Sequence, residues 1–327
     1  MDSNGLAHVA MGCIHYLFLR FRGIPSWLQA GVVSGAMLAD RCKSQQLDEK
    51  LKMNFHANPI SGESALEAGS AGGVATLWRY RDLLRNLVAK EIKVRYMGAA
   101  LGFAWSLANP IVLTLMYLVV FTYIFPSAQP HYALFLVTGV LHWTLFSQVV
   151  SQSCEILVQN SGLLKKIYFP RLLVPLSSVM VNLTLWSAAL AVYLVFFSIL
   201  GGHFSLVLLL YPFYIVCFFL FVWGLGMILA TLYVDFRDIK HLVEVSLQVL
   251  FWATPIVYQI SKVPERFRQI ALISPLAEFT VIFQNIFYEN HVPSATVTIL
   301  FMIWTAVTLG VGLWLFNRRV PELVERL

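Results

Sequence analysis

Charge is what this chain has least of. Asp, Glu, Lys and Arg make up 12% of its 327 residues, against about 25% in ordinary soluble domains. In five stretches, 103–125, 132–153, 173–198, 206–234 and 296–316, they vanish altogether. A soluble fold is excluded by that scarcity. Each uncharged stretch has the roughly 20 residues that a helix rising about 1.5 Å per residue needs to cross a hydrocarbon layer about 30 Å thick. Cysteine is also scarce: Cys13, Cys42, Cys154 and Cys217 are scattered, with no CxxC and no neighbouring His pair. That spacing argues against a disulfide framework and against a zinc site. No GxxxxGK[ST] occurs, so the chain has no phosphate loop of its own for a nucleotide. Neither a Ser/His/Asp set nor a paired carboxylate stands where a cleft would form, and no catalytic or metal-ligating residue is assigned.

What is present is apolar: 58% of residues are hydrophobic and 14% aromatic. The segment 242–260 is a sixth span, shorter than the others and tilted or kinked, since it contains Glu244 and Pro255. The remaining apolar material, 265–288, is split by Pro275 into pieces too short to cross. Two re-entrant half-helices, their free backbone groups buried against protein, fit this better than a seventh crossing. Lys and Arg decide the orientation. With six spans, Lys165, Lys166, Arg171, Arg237, Lys240, Arg318, Arg319 and Arg326 fall on the same side as the basic segment 79–95. The opposite loops 126–131 and 199–205 have no Lys or Arg, and the last outer segment has Lys262, Arg266 and Arg268. The excess of positive charge places both termini in the cytoplasm. The expected fold is therefore an all-α integral membrane protein with six transmembrane helices.

Ahead of the spans, residues 1–76 read as a poorly ordered extension. The tract "HANPISGESALEAGSAGGVAT" is small-residue linker, and the apolar stretch 23–39 is too short and too rich in Gly and Ser to span. Met53 is a candidate alternative initiator; a cleaved signal is disfavoured because the basic residues of "MGCIHYLFLRFR" follow its apolar core. Residues 77–97 place Leu77, Tyr80, Leu84, Leu87, Val88, Ile92 and Val94 near helical spacing. Arg79, Arg81, Arg85, Lys90, Lys93 and Arg95 fill the remainder, the pattern of an amphipathic interface helix facing anionic headgroups.

Ion-driven transporters keep an ionisable or coordinating group at membrane depth. Here the span interiors offer His142, with Glu244 near an entrance. His142 reads either as a packing or helix–helix hydrogen-bonding residue or as a proton relay. With no ion-coupling set and no nucleotide site, the energy for any transport must come from another chain. The connection "QNSGLLKKIYFPRLLVP", 159–175, is the natural place to receive it, since it concentrates Lys165, Lys166 and Arg171 with two prolines between uncharged runs.

Several segments, in order, carry a resemblance. They are "KVRYMGAALGFAWSLANP", "LLKKIYFPRLLVP", "GLGMILATLYVDFRDI", "TPIVY", "SPLAEFTVIFQNIFY" and the ending "LGVGLWLFNRRVPELVERL". Over about residues 77–327 the chain resembles the permeases of type-2 ABC exporters that move bacterial surface polysaccharides, a group that includes O-antigen, capsule and teichoic-acid exporters. The resemblance implies a homodimer in the inner membrane working with two cytoplasmic ATPase subunits, which bind the ATP and Mg; this chain holds no cofactor. It implies docking to the ATPase through 159–171, with Asn160, Leu163, Leu164, Lys165, Ile167 and Phe169 as candidates. Asp235, Arg237 and Asp238 in "DFRDIK" are a second candidate set, for which an intramolecular salt bridge is an equal reading. It further implies that the first and fifth spans line the channel. Trp105, Tyr117, Phe121, Phe125, Phe251, Trp252 and Tyr258 are then wall residues on which sugar faces stack, or else rings packed between helices. The basic residues of 77–97 would meet either the pyrophosphate of an undecaprenyl-linked substrate or anionic lipid. Two alternatives stand beside this one. An ABC-2 exporter of a lipid or drug-like solute differs by substrate alone. A membrane enzyme of lipid-linked glycan synthesis would need more acidic support than Asp235 and Asp238 have.

Overall fold

The computed structural model describes residues 79–96, 108, 111–112, 115–117, 119–120, 131–166, 169–202 and 204–326, and no strand occurs among them. The helices are α1 (Arg81–Tyr96), α2 (Tyr132–Gln159), α3 (Ser161–Lys166), α4 (Leu173–Ile199), α5 (Tyr211–Asp235), α6 (Ile239–Ala253), α7 (Glu265–Ile273), α8 (Pro275–Gln284) and α9 (Ala295–Arg326). A 3₁₀ turn, Leu206–Leu210, runs into α5, and a π turn, Asn285–Glu289, extends α8. Among the described residues four helices are long and apolar enough to cross a membrane: Tyr132–Gln159, Leu173–Ile199, Leu206–Asp235 and Ala295–Val320. The expected first span, 103–125, lies largely outside the described residues.

Two expectations turn on proline. The stretch expected as a fifth span, 242–260, is not one continuous helix: α6 has 15 residues and stops at Ala253. The residue before a proline is driven out of the helical region by the ring, and Thr254, preceding Pro255, sits at φ −87°, ψ 140°. At about 1.5 Å per residue, α6 alone falls short of an apolar layer of about 30 Å. Pro275 acts as expected. Ser274 is extended at φ −72°, ψ 125°, separating α7 from α8, and Pro275 occupies the first turn of α8, where its missing N–H costs nothing.

Each of these interruptions frees carbonyl groups, and side chains donate to them. Trp304 Nε1 on α9 donates to Ile273 O at 3.0 Å, at the end of α7. Gln284 Nε2 on α8 donates to Pro255 O at 3.1 Å, just past α6. Tyr258 Oη folds back to donate to Ala253 O at 2.9 Å, and Tyr132 Oη donates to Val257 O. An unpaired backbone group away from water is expensive, so these four side chains are what allow irregular backbone to sit inside the bundle.

Helix α2 is the central element, packed by α4, α5, α6 and α8. Every residue of α8 from Leu276 to Gln284 is buried. Phe279 and Phe283 reach Phe218 of α5 with ring centroids 4.6 Å and 5.6 Å away, and Phe283 stacks on His142 of α2 at 3.8 Å. The α5–α9 pair approaches through glycine. A Cβ on Gly224 would lie 2.6 Å from Leu309 N, and one on Gly312 would lie 2.5 Å from Gly224 O. Without a polar solvent to exclude, close backbone contact is the main attraction between helices in lipid.

Two tests follow from this packing. Gly224→Val forces α5 and α9 apart and lowers detergent-solubilised thermal stability by an amount corresponding to about 1–3 kcal/mol; Gly310→Ala, whose Cβ meets nothing within 4 Å, leaves it unchanged. Trp304→Phe removes the donor to Ile273 O while keeping an aromatic ring. It costs about 1 kcal/mol and speeds proteolysis after 265–273 relative to wild type.

Candidate functional site

At the end of the bundle where α2 leads into α3, four connections meet. Tyr80, just ahead of α1, and Leu87 within it are buried, and α1 packs on α4. Arg79, Arg81, Arg85, Lys93 and Arg95 are exposed and Lys90 is half-buried, so the basic face points away from the bundle. Arg95 is tied down: its Nη2 donates to Gln152 Oε1 on α2 at 2.7 Å, and the same oxygen accepts from Asn182 Nδ2 on α4 at 2.9 Å. Burial raises the Glu91 carboxyl above the ordinary carboxylate range, opposed by the nearby Arg95 charge.

The short helix α3 turns back on its own bundle. Asn160 Nδ2 donates to Ile156 O at 2.9 Å, closing the end of α2. Leu164 is buried at 6% exposure, and Leu163 and Phe169 pack half-buried against the core. Leu163 and Leu164, expected on an apolar docking face, thus pack on this chain's own bundle. A helix of six residues cannot hold itself against solvent, and these leucines fasten it to α2 and α9. Lys165 is exposed; Ile167 lies outside the described residues. In the α5–α6 link, Asp235, Arg237 and Asp238 are exposed, with Phe236 at 65% exposure between them. Lys240 is the intramolecular partner. Its Nζ lies 2.8 Å from Glu155 Oε1 on α2, an oxygen that also accepts from Tyr233 Oη at 3.3 Å. The hydrogen bond to Glu155 raises the Lys240 ammonium above its ordinary value. The link between α5 and α6 is thereby braced against the turn that carries α3. Glu155 escaped sequence reasoning because it lies beyond the uncharged run; its helical spacing from Gln152 and Gln159 was the available signal.

Of the aromatic wall residues, Trp105, Phe121 and Phe125 lie outside the described residues, and Tyr117 is half-buried. Phe251 is half-buried, its ring 5.8 Å from Trp143 and 5.4 Å from Trp252. Trp252 is 69% exposed on α6. Tyr258 is turned back over the end of α6 by its hydrogen bond to Ala253 O. Thus Trp252 touches Phe251 edge-on but is otherwise exposed, whereas Phe251 and Tyr258 also serve packing.

His142 is fully buried with both nitrogens engaged. Nδ1 can only donate to Thr138 O at 2.8 Å, which leaves Nε2 of the neutral ring to accept from Tyr211 Oη at 3.1 Å. It is a helix–helix linker. The notion that depth offers no other ionisable group needs correcting, because Glu278 on α8 is 0% exposed and neither carboxyl oxygen has a hydrogen-bond partner among the described residues. Its place within a split apolar segment hid it among the half-helices.

A bundle of long apolar helices with an interrupted pair inserted among them, and with short charged links at one end, is the arrangement of a membrane permease. Residues 82–288 match the family described as "ABC-2 type transporter". This chain belongs to the ABC-2 transporter membrane family. Among its relatives, an O-antigen export system permease protein RfbA of Myxococcus xanthus is 32% identical over 254 residues, covering 77% of this chain and 98% of the relative. RfbA of Klebsiella pneumoniae, of the same description, is 31% identical over 238 residues, 72% of this chain and 92% of the relative. A polysialic acid transport protein KpsM of Escherichia coli is 22% identical over 246 residues, 71% of this chain and 92% of the relative. As an ABC-2 permease the chain is a transporter subunit in the membrane rather than a catalytic enzyme.

The Glu155–Lys240 brace is testable by a double-mutant cycle. Lys240→Met and Glu155→Gln each lower thermal stability by up to about 1 kcal/mol, and the double variant loses little more than either alone. Fully additive losses would show that the pair is not coupled.

Proposed function

We propose that this chain is the transmembrane subunit of an ATP-driven exporter that moves a lipid-linked polysaccharide, O-antigen-like or capsular, across the bacterial inner membrane. The observation that carries this reading is identity above 30% with two O-antigen export permeases along more than nine-tenths of their length. In this reading two copies of the chain pair with two ATPase subunits, and the undecaprenyl-linked glycan enters from the cytoplasm. Both termini are cytoplasmic, the first span and the segment 242–260, interrupted at Pro255, complete six crossings, and α7 and α8 form a re-entrant pair at the outer end. The burial of α8 and the satisfied carbonyls around Pro255 and Pro275 support that pair.

ATP binds the partner, so this chain's part is mechanical. The exposed Lys165, Asp235, Arg237 and Asp238 form the surface offered to the ATPase, and the Glu155–Lys240 bridge joins the two docking connections so that they move together. Charged residues at the rim of such a contact set register and association rate. The exposed basic face of α1 lies along the interface, where guanidinium groups suit a pyrophosphate.

Deleting the gene is expected to leave lipid-linked glycan inside the cell and to strip surface glycan. Unaltered surface glycan in the deletion would end the export reading. Within the complex, Arg237→Glu together with Lys165→Glu reduces co-purified ATPase by about tenfold, about 1.4 kcal/mol, while the permease itself keeps its thermal stability. Leu164→Glu, by contrast, destabilises the permease because it puts a charge in the core.

A further inference from the structure

Helix α2 carries a polar stripe toward α6. Thr144, Ser147, Gln148, Ser151, Gln152 and Glu155 follow at alternating intervals of three residues and one, which puts them on one helix face. Across from part of this stripe, α6 presents Glu244 and Gln248, again four apart. Between the two helices lies an open cavity of about 380 Å³, lined by Ser147, Gln148, Ser151 and Gln152 on one side and Glu244, Leu247 and Gln248 on the other. That volume falls within the range of small-molecule sites.

The polarity needs an explanation. Amides and hydroxyls facing hydrocarbon without partners are costly, whereas Thr138, His142 and Ser153, also on α2, are buried in the bundle. Gln148 is exposed, while Ser147, Ser151 and Gln152 are half-buried at the cavity wall. Ser147 Oγ donates to Thr144 O at 3.2 Å and so keeps its lone pairs open to a ligand. Gln152 Oε1 is already occupied by Arg95 and Asn182, which fixes that side chain and leaves the other side-chain amides facing the space. Glu244 has His241 Nδ1 3.8 Å from one carboxylate oxygen, on the exposed side of α6. The set is rich in carboxamides, which pair donor and acceptor with neighbouring hydroxyls, and has one carboxylate to accept from two more. It contains no cluster of cations for an anion. That is the chemistry that recognises sugar hydroxyls. Trp252 lies one turn beyond Gln248 on α6, exposed, in position for a ring to stack on the next sugar.

We propose that the groove between α2 and α6 binds glycosyl units by their hydroxyl groups and hands them on to the aromatic face at Trp252. This rests on the export reading and adds to it a polar first contact on the path, distinct from the stacking wall. Because the hydrogen bonds are few and exchange with water, sugar repeats are held loosely enough to move.

Ser151→Cys places a near-isosteric thiol on the groove wall. In inverted inner-membrane vesicles carrying the assembled exporter, its reaction with a charged maleimide is followed with the wild-type chain labelled in parallel as background. Vesicles come from cells that make the lipid-linked glycan and from cells blocked at its first sugar. Occupancy by glycan slows labelling by about threefold or more in the first relative to the second, an effect within the reach of one or two hydrogen bonds. Equal rates in both, whether fast or slow, overturn the proposal. In a second arm Gln148→Leu with Gln248→Leu, close in volume, lowers surface glycan about fivefold at unchanged permease abundance; wild-type export by that double variant overturns the proposal as well. The export reading is checked separately by the deletion strain: surface glycan that survives deletion sinks the reading, whereas glycan lost on deletion but indifferent to these variants sinks the groove alone.

Discussion

The structure depends on how it satisfies carbonyl groups that helices have abandoned. A continuous span satisfies its own backbone, and α2 and α4 need nothing further. Once Pro255 and Pro275 interrupt the chain, carbonyls at Ala253, Pro255, Val257 and Ile273 have no intrahelical donor. Tyr258, Gln284, Tyr132 and Trp304 supply them from four places in the sequence. In lipid each missing bond would cost far more than in water, so these donors decide where the breaks can be. They also explain why α8 is enclosed on all sides, since a short helix with open ends has no stable place at a lipid boundary.

That constraint shapes the division of the molecule. One end carries the interrupted helices, enclosed by rings from α2, α4 and α5 around His142. The other end carries α3 and the α5–α6 link, where charge is admitted and Glu155, Tyr233 and Lys240 join two connections. Helix α2 runs from one end to the other and touches both arrangements. Helix α2 thus joins the end that carries α3 to the packing around Phe283. The glycine contact of α5 with α9 is rigid by comparison, because backbone against backbone leaves no side chain to yield.

Much of the fold could be read in the sequence, for the reason that lipid punishes charge. The uncharged runs found α4 and α5 closely and the starts of α2 and α9, both of which continue well past the runs, and Pro275 marked the α7–α8 break. Proline at 255 was noticed as a kink but ends the helix, because the carbonyls it frees are satisfied by residues distant in sequence. Side-chain placement was less legible. Leu163 and Leu164 looked like a docking face because an apolar pair on a short basic loop has that appearance whether it faces a partner or its own core; only packing separates the two. Glu155 and Glu278 were hidden by where the boundaries of apolar runs were drawn. Trp252 and the exposed residues of the α5–α6 link were visible as types, while their exposure follows from the tertiary arrangement.

On the proposed export path, the polar stripe on α2 and the exposed Trp252 of α6 place opposite demands on a moving polymer. Hydrogen bonds alone would hold sugars in register and resist movement; aromatic stacking alone would accept any apolar face and confer no preference for a glycan. On the proposed path, the carboxamide at 248 stands one turn from the exposed indole at 252, with that at 148 across the groove, so each repeat exchanges one kind of contact for the other. Gln152 cannot join in that exchange because Arg95 and Asn182 hold it. It sets the lower edge of the polar surface and ties that edge to the basic helix α1. The same residue thus joins the interface helix, the central span and the groove. The position of α1 against the bundle and the shape of the groove are, on this geometry, not independent variables.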